Sequence, residues 1–190
     1  MEVPGLFVEE SRITQRKTPT SEESADVDFY RNWDAYKAGF GDLRGNFWIG
    51  NEITHLLPTS PRTLRVEMEG CNGKIGVAQY AEFQIPNGYH LYKLSINGFI
   101  SDLSHDALAK HNGHYFTTYD KDNDIYPDDN CAHAYHGAWW YYRCLTSNLN
   151  GRYEMNLAPD DAGGTTMSWV YFYDMQLLQK PLKKPLMMVR

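Results

Sequence analysis

Between Phe116 and Tyr153 the chain reads FTTYDKDNDIYPDDNCAHAYHGAWWYYRCLTSNLNGRY, and no other stretch limits its possible folds so tightly. Aspartates at 120, 122 and 124, cysteines at 131 and 144, a Trp139-Trp140 doublet and an Asn-Leu-Asn-Gly turn crowd into fewer than forty residues. Alternating carboxylates suit a hard cation, which takes several oxygen ligands and little else. A cysteine pair directly afterwards can close the same loop covalently. A loop built this way holds its shape without a large core behind it, the usual construction of an extracellular binding module.

The aspartates admit three readings. Asp120, Asp122 and Asp124 stand where an EF-hand places its first three ligands. Position six of that loop is then Ile125, where the turn needs Gly, and position twelve is Cys131, where a bidentate Glu is needed. The EF-hand reading fails. A loop calcium site would need only two carboxylates two residues apart, with backbone carbonyls from the next turn and water. Pro127 and the Asp128-Asp129-Asn130 cluster supply turn chemistry for it. A solvated acidic run is the plainer reading. Spacing alone leaves both open.

The cysteines admit two. Cys131, His133, His136 and Cys144 can be drawn as a Cys2His2 zinc set, but neither spacing matches a finger and no CxxC is present. A Cys131–Cys144 disulfide fits better, since closing a loop of this size contributes about 3 kcal/mol by chain entropy. It implies an oxidising compartment. Cys71 is left over, as a small buried hydrophobe or a thiol free to pair between chains.

With 190 residues the chain makes one domain, or one domain with a short tail. Its net charge of −6 and the lack of a basic stripe with interleaved aromatics speak against a nucleic-acid partner. No apolar run approaches the roughly 18 residues of a membrane span. The N-terminus has no apolar h-region and reads as no signal peptide, so an extracellular protein would need a leader outside this sequence. No Asn-x-Ser/Thr sequon supports secretion. Fourteen Tyr, eight Phe and five Trp among only 42% hydrophobic residues describe a loop-rich domain held by large aromatic anchors.

Residues 17–27 read as an exposed linker. From Asp28 to Phe40, Phe29, Trp33, Tyr36 and Phe40 share one helical face, with Asp28 as N-cap and Gly39 or Gly41 as the stop. A second short helix is expected from about Asn51 to Leu57. Residues 62–97 alternate as three strands (62–70, 73–85 and 88–96) broken at Gly70-Cys71-Asn72-Gly73 and Pro86-Asn87-Gly88, an antiparallel meander. Residues 104–111 suggest a short helix, and from Gly113 to Ser168 nearly everything is turn and loop. So long a loop inside a compact domain signals function or disorder, and the cysteines and tryptophans favour function. His111 and His114 near Asp106 could be drawn as acid–base partners. No nucleophile sits in a recognisable context, so surface and helix-end histidines are the better reading.

Taken in order, several pieces together resemble the fibrinogen C-terminal domain, the module of fibrinogen chains, ficolins, tachylectins, tenascins and angiopoietins. They are Ile13-Thr-Gln-Arg-Lys, DFYRNWDAYKAGFG, NFWIGNEITHLL, LRVEMEG, YKLSINGF, HNGHYFTTYDKDND, NCA, GAWWYYRC, SNLNGRY and MMVR. The resemblance covers residues 12–190, leaves 1–11 as a tail, and lacks most of the family's first subdomain. It implies calcium at the carboxylates of Asp122 and Asp124 with the carbonyls of Tyr126 and Asp128; one extra residue before Cys131 makes Asp129 an alternative to Asp128. It implies a Cys131–Cys144 disulfide and a cis bond between Arg143 and Cys144. In lectin-like members this region receives an acetyl group, so Tyr135, Arg143, Cys144 and Leu145 are the candidate ligand-binding residues. Two departures stand out. Leu145 replaces a His common in acetyl-binding members, and APDDAGGTTMSW lacks the downstream pocket tyrosine.

The expected fold is α+β: a twisted antiparallel sheet with short helices on it, and a loop-rich calcium-binding lobe from about Gly113. Trp33, Phe40, Trp48, Val66, Tyr92 and Trp139 are expected in the core. The expected function is a secreted, non-catalytic, calcium-stabilised lectin-like module of innate defence that binds glycans or acetylated surface groups, a homo-oligomer in its full-length form. The alternative is an extracellular-matrix or receptor-ligand module that binds a protein receptor.

Overall fold

The computed structural model describes residues 12–16, 27–57, 62–70, 72–153, 164–172 and 182–190. The tail, most of the 17–27 linker, Cys71 and much of the APDDAGGTTMSW stretch lie outside the described residues. Its elements are β1 (Arg12–Arg16), α1 (Trp33–Ala38), β2 (Phe40–Gly41), β3 (Phe47–Trp48), α2 (Asn51–Leu56), β4 (Arg62–Gly70), β5 (Ile75–Gln84), β6 (Ser95–Ser101), α3 (Cys131–Ala134), β7 (Ser147–Asn148), β8 (Ser168–Trp169) and β9 (Leu182–Val189). Seven strands form one sheet in the order β2-β3-β1-β9-β4-β5-β6, and every pair in it is antiparallel. Short helices beside an antiparallel sheet make the fold α+β, as the sequence suggests.

Period-two alternation builds the sheet. Along β4, Leu64, Val66 and Met68 are buried while Arg65, Glu67 and Glu69 are partly exposed, so one face meets the core. β9 repeats the pattern beside it with Met187 and Val189 inward. Pro185 stands in β9 opposite Met68 of β4, one residue beyond the last described β1 pair, Arg16↔Leu186.

Three expected elements are shorter than the sequence implied. The 28–40 helix begins only at Trp33. Asp28 does not cap it but accepts the Tyr30 N–H at 2.8 Å in a local turn. Asn32 is the cap, in extended conformation, accepting the Ala35 N–H at 3.0 Å. Phe29 and Phe40 still pack together, ring centres 5.0 Å apart, from outside the helix. The expected strand over 88–96 is a 3-10 turn at Gly88–His90, followed by Leu91 and Tyr92 with left-handed φ of 54° and 48°. Alternation there reflects anchoring rather than pleating: Tyr92 is buried, donates its hydroxyl to Glu52 and accepts the Trp140 indole N–H. The 104–111 helix reduces to a 3-10 turn at Ala109–His111, because the Asp106 carboxylate takes the N–H groups of Leu108 and Ala109.

From Gly113 to Trp169 the described residues are irregular, with only α3, the β7–β8 pair and isolated bridges among them. Of the six expected core residues, Trp48, Val66, Tyr92 and Trp139 are buried, while Trp33 and Phe40 are partly buried against the core. A cluster of Trp33, Tyr36, Trp48, Phe116 and Trp140 rings joins the sheet side to the lobe. No helix among the described residues is long and apolar enough to cross a membrane.

Candidate functional site: the acidic loop and its disulfide

The acidic loop is fastened at several points. Thr117 and Trp139 exchange backbone bonds of 2.9 and 3.2 Å, and the Ile125 N–H reaches the Tyr142 carbonyl at 3.0 Å. Asn123 donates its amide to the Phe116 carbonyl at 2.7 Å. Asn130 is the pivot. Its side-chain oxygen caps α3 by accepting the Ala132 and His133 N–H groups at 2.7 and 3.1 Å, and its amide nitrogen donates to the Thr118 and Tyr119 carbonyls. By residue type alone Asn130 reads only as turn chemistry. A four-residue helix has too little periodicity to announce itself, and Asn one residue before Cys131 was the available signal.

Asp124 sits at the centre of this loop. One carboxylate oxygen accepts the Tyr126 N–H at 2.8 Å and the other the Cys131 N–H at 2.9 Å. The Asp122 carboxylate in turn accepts the Asp124 N–H at 3.2 Å. Burial raises the Asp124 pKa to about 6, opposed by its backbone hydrogen bonds and reinforced by the Asp122 charge. A cation between the two carboxylates would relieve both the burial penalty and the repulsion. Among the described residues no three His, Cys, Asp or Glu side chains converge, so such a cation would need carbonyl oxygens and water as well. The Tyr126 and Asp128 carbonyls accept no hydrogen bond among the described residues and lie on the adjoining turn. The donor set is all oxygen and fits calcium rather than zinc.

Cys131 and Cys144 are joined, with S–S 2.05 Å and Cα atoms 5.5 Å apart. The disulfide reading holds and leaves no zinc set: both thiols are consumed, and His133 is solvent-exposed on α3. The Arg143–Cys144 peptide is cis. The Arg143 guanidinium is exposed and lies 6.0 Å from the centre of the Tyr126 ring, beside the acidic loop. Tyr135 closes α3, half-buried, and its carbonyl accepts the Asn148 amide at 3.2 Å. Gly164, at φ 87°, lies so close to the Tyr135 ring that a Cβ there would stand 2.9 Å from it and 3.7 Å from Leu145. Tyr135, Leu145 and Gly164 therefore meet. Leu145 itself is only 7% exposed and belongs to the core cluster.

His111 is no surface histidine. It is fully buried, its Nε2 accepting the Thr146 and Ser147 N–H groups at 3.1 Å each. Nδ1 must then carry the proton and donate to the Trp140 carbonyl at 2.8 Å. Burial lowers its pKa to about 4, so the ring is neutral and ties the segment after the disulfide to the Trp doublet. Asp106 is occupied by Tyr80 and two backbone N–H groups, and no acid–base pair with His111 or His114 forms.

The family model for the C-terminal globular domain of fibrinogen beta and gamma chains matches residues 20–190. Human ficolin-3 is 44% identical over 137 residues, which is 72% of this chain and 46% of ficolin-3. Human angiopoietin-related protein 7 is 46% identical over 127 residues, 67% of this chain and 36% of that protein. The chain thus spans less than half the length of these two relatives. Among solved structures, the fibrinogen-like globe domain of human ANGPTL2 superposes with a TM-score of 0.84 at 35% identity, over 94% of this chain and 78% of that one. Lamprey fibrin D-dimer, solved with the peptide ligand Gly-His-Arg-Pro-amide, superposes with a TM-score of 0.79 at 26% identity, over 94% and 60%.

Proposed function

Because this chain belongs to the fibrinogen C-terminal domain family, we propose that it is a secreted, non-catalytic recognition module that binds glycans or acetylated surface groups beside a calcium loop. Calcium would be held by the Asp122 and Asp124 carboxylates with the Tyr126 and Asp128 carbonyls. When bound it supplies charge neutralisation and order to the loop; the protein's own residues do the recognising. Tyr135, Arg143, Cys144 and Leu145 form the floor, with the Tyr135 ring suited to an acetyl methyl or a sugar face.

One observation carries this reading. Asp124 accepts the Cys131 N–H, and the disulfide joins Cys131 to Cys144, so metal loop and ligand floor share one frame. Single sites of this kind bind weakly, and a full-length homo-oligomer would supply avidity. A glycan array probed with an artificially oligomerised domain, with and without calcium, tests it. The expected result is calcium-dependent capture of N-acetylated glycans that Tyr135→Ala abolishes while calcium stabilisation persists. Equal signals with and without calcium, or none on any glycan, would remove the lectin reading.

A second reading has its own observation. Tyr119 and Ile125 are 39% and 59% exposed on the same lobe, while Leu145, where acetyl-binding members often carry a polar His, is turned into the core. Such a surface suits the side chains of an extracellular protein receptor. Capture of a protein ligand by the domain when the array is blank would establish it.

A further inference from the structure

Asp120, the first of the alternating aspartates, faces away from the candidate metal loop in its bonding. Its Oδ1 accepts the Trp33 N–H at 2.9 Å, across 87 residues of chain, and the Thr118 hydroxyl at 2.7 Å. Trp33 is the first residue of α1, and its N–H is one that no intrahelical carbonyl can satisfy. Asn32 already caps the Ala35 N–H, so the helix start is held twice, once locally and once from the acidic loop. Six residues are too few for a helix to persist in water without such support. Next to Asp120, the Lys121 ammonium stands 4.0 Å from the centre of the Trp33 ring.

The contacts continue inward. The Thr118 carbonyl accepts the Asn130 amide at 3.0 Å, Asn130 caps α3, and the adjacent Cys131 N–H donates to Asp124 at 2.9 Å. An unbroken line of hydrogen bonds and single residues therefore runs from the start of α1 through Asp120, Thr118 and Asn130 to the Asp124 carboxylate.

We propose that Asp120 is the positioning residue of the metal loop: it does not bind the cation but couples cation binding to the docking of α1 on the lobe. The proposal rests on the calcium reading given above. Coupling of this kind is reciprocal, so calcium must protect the start of α1 as much as the docked helix favours calcium.

Two measurements test it on the whole chain. Calcium titration by calorimetry compares wild type, Asp120→Asn, which keeps an oxygen acceptor at the same place, and Asp120→Ala, which has none. Hydrogen exchange follows the Trp33 amide with calcium and with EDTA. Asp120→Ala should bind calcium at least about five-fold more weakly, the lower end of ordinary coupling, with Asp120→Asn recovering most of the loss. Calcium should slow Trp33 exchange in wild type and leave it unchanged in Asp120→Ala. Equal calcium affinity in wild type and Asp120→Ala, or calcium-independent Trp33 exchange in wild type, overturns the coupling while calcium binding itself stands. If wild type binds no calcium, the metal reading and the coupling fall together. Should Asp120→Ala not fold, wild-type Trp33 exchange with calcium and with EDTA decides the matter.

Discussion

The sheet and the loop lobe are held together by different kinds of force. In β4, β5 and β9 the stabilising element is a pattern: Leu64, Val66, Met68, Tyr80 and Met187 are buried in one core cluster. In the lobe the stabilising elements are individuals. Asn123, Asn130, Asn148, Asn150 and His111 each satisfy particular backbone groups, and one disulfide closes the loop. A hydrophobic layer tolerates exchange of one aliphatic residue for another of similar volume. A buried donor that loses its single acceptor has no substitute. The candidate site lies in the region with the least redundancy, where a shape must be kept rather than a volume filled.

The largest effect should come from the sheet. Leu64→Ala removes a fully buried side chain and should cost about 4 kcal/mol in denaturant unfolding, with or without a reducing agent. A loss under about 1 kcal/mol would mean that the sheet is not the dominant core. Next, reducing the disulfide should cost about 3 kcal/mol, and hydrogen exchange should locate the loss in residues 116–153. Uniform loosening of β4 and β5 as well would erase the distinction between the regions.

His111 sharpens it through pH. Its folded pKa, about 4, lies below the ordinary 6.5, so the unfolded chain binds the extra proton first. Its contribution is complete above pH 6.5 and is lost progressively as pH falls toward 4, on the order of 3 kcal/mol in all. Denaturant melts at pH 7, 5.5 and 4.5 should show this slope in wild type and a flatter one in His111→Gln. Identical slopes would mean that His111 does not hold the lobe. The smallest effect is calcium. At ten times its dissociation constant it should add about 1.4 kcal/mol by mass action. EDTA should remove the gain, and Asp122→Ala should show none by scanning calorimetry.

The same division governs what could be read from residues alone. β4 and most of β5 were legible because alternation persists over nine and ten residues. The 28–40 helix and the 88–96 strand were overextended because aromatic spacing mimics periodicity: Phe29 and Tyr92 are anchors set into turns, and only tertiary contacts reveal that. At the site, the aspartates and cysteines announce themselves by residue type. Asn130, Gly164 and His111 do not, since their roles depend on partners 12 to 36 positions away or on a single close approach.

β9 lies in the middle of the sheet, hydrogen-bonded to β1 on one side and β4 on the other, yet it is the last element of this chain to be synthesised. Until residues 182–189 have emerged from the ribosome, β1 and β4 each present an open edge to any other extended chain. The sheet therefore stays incomplete until residues 182–189 are made, and it closes across large sequence separations that slow folding. Loss of these eight residues would leave a gap in the centre of the sheet rather than a frayed margin, because β1 and β4 meet only through β9.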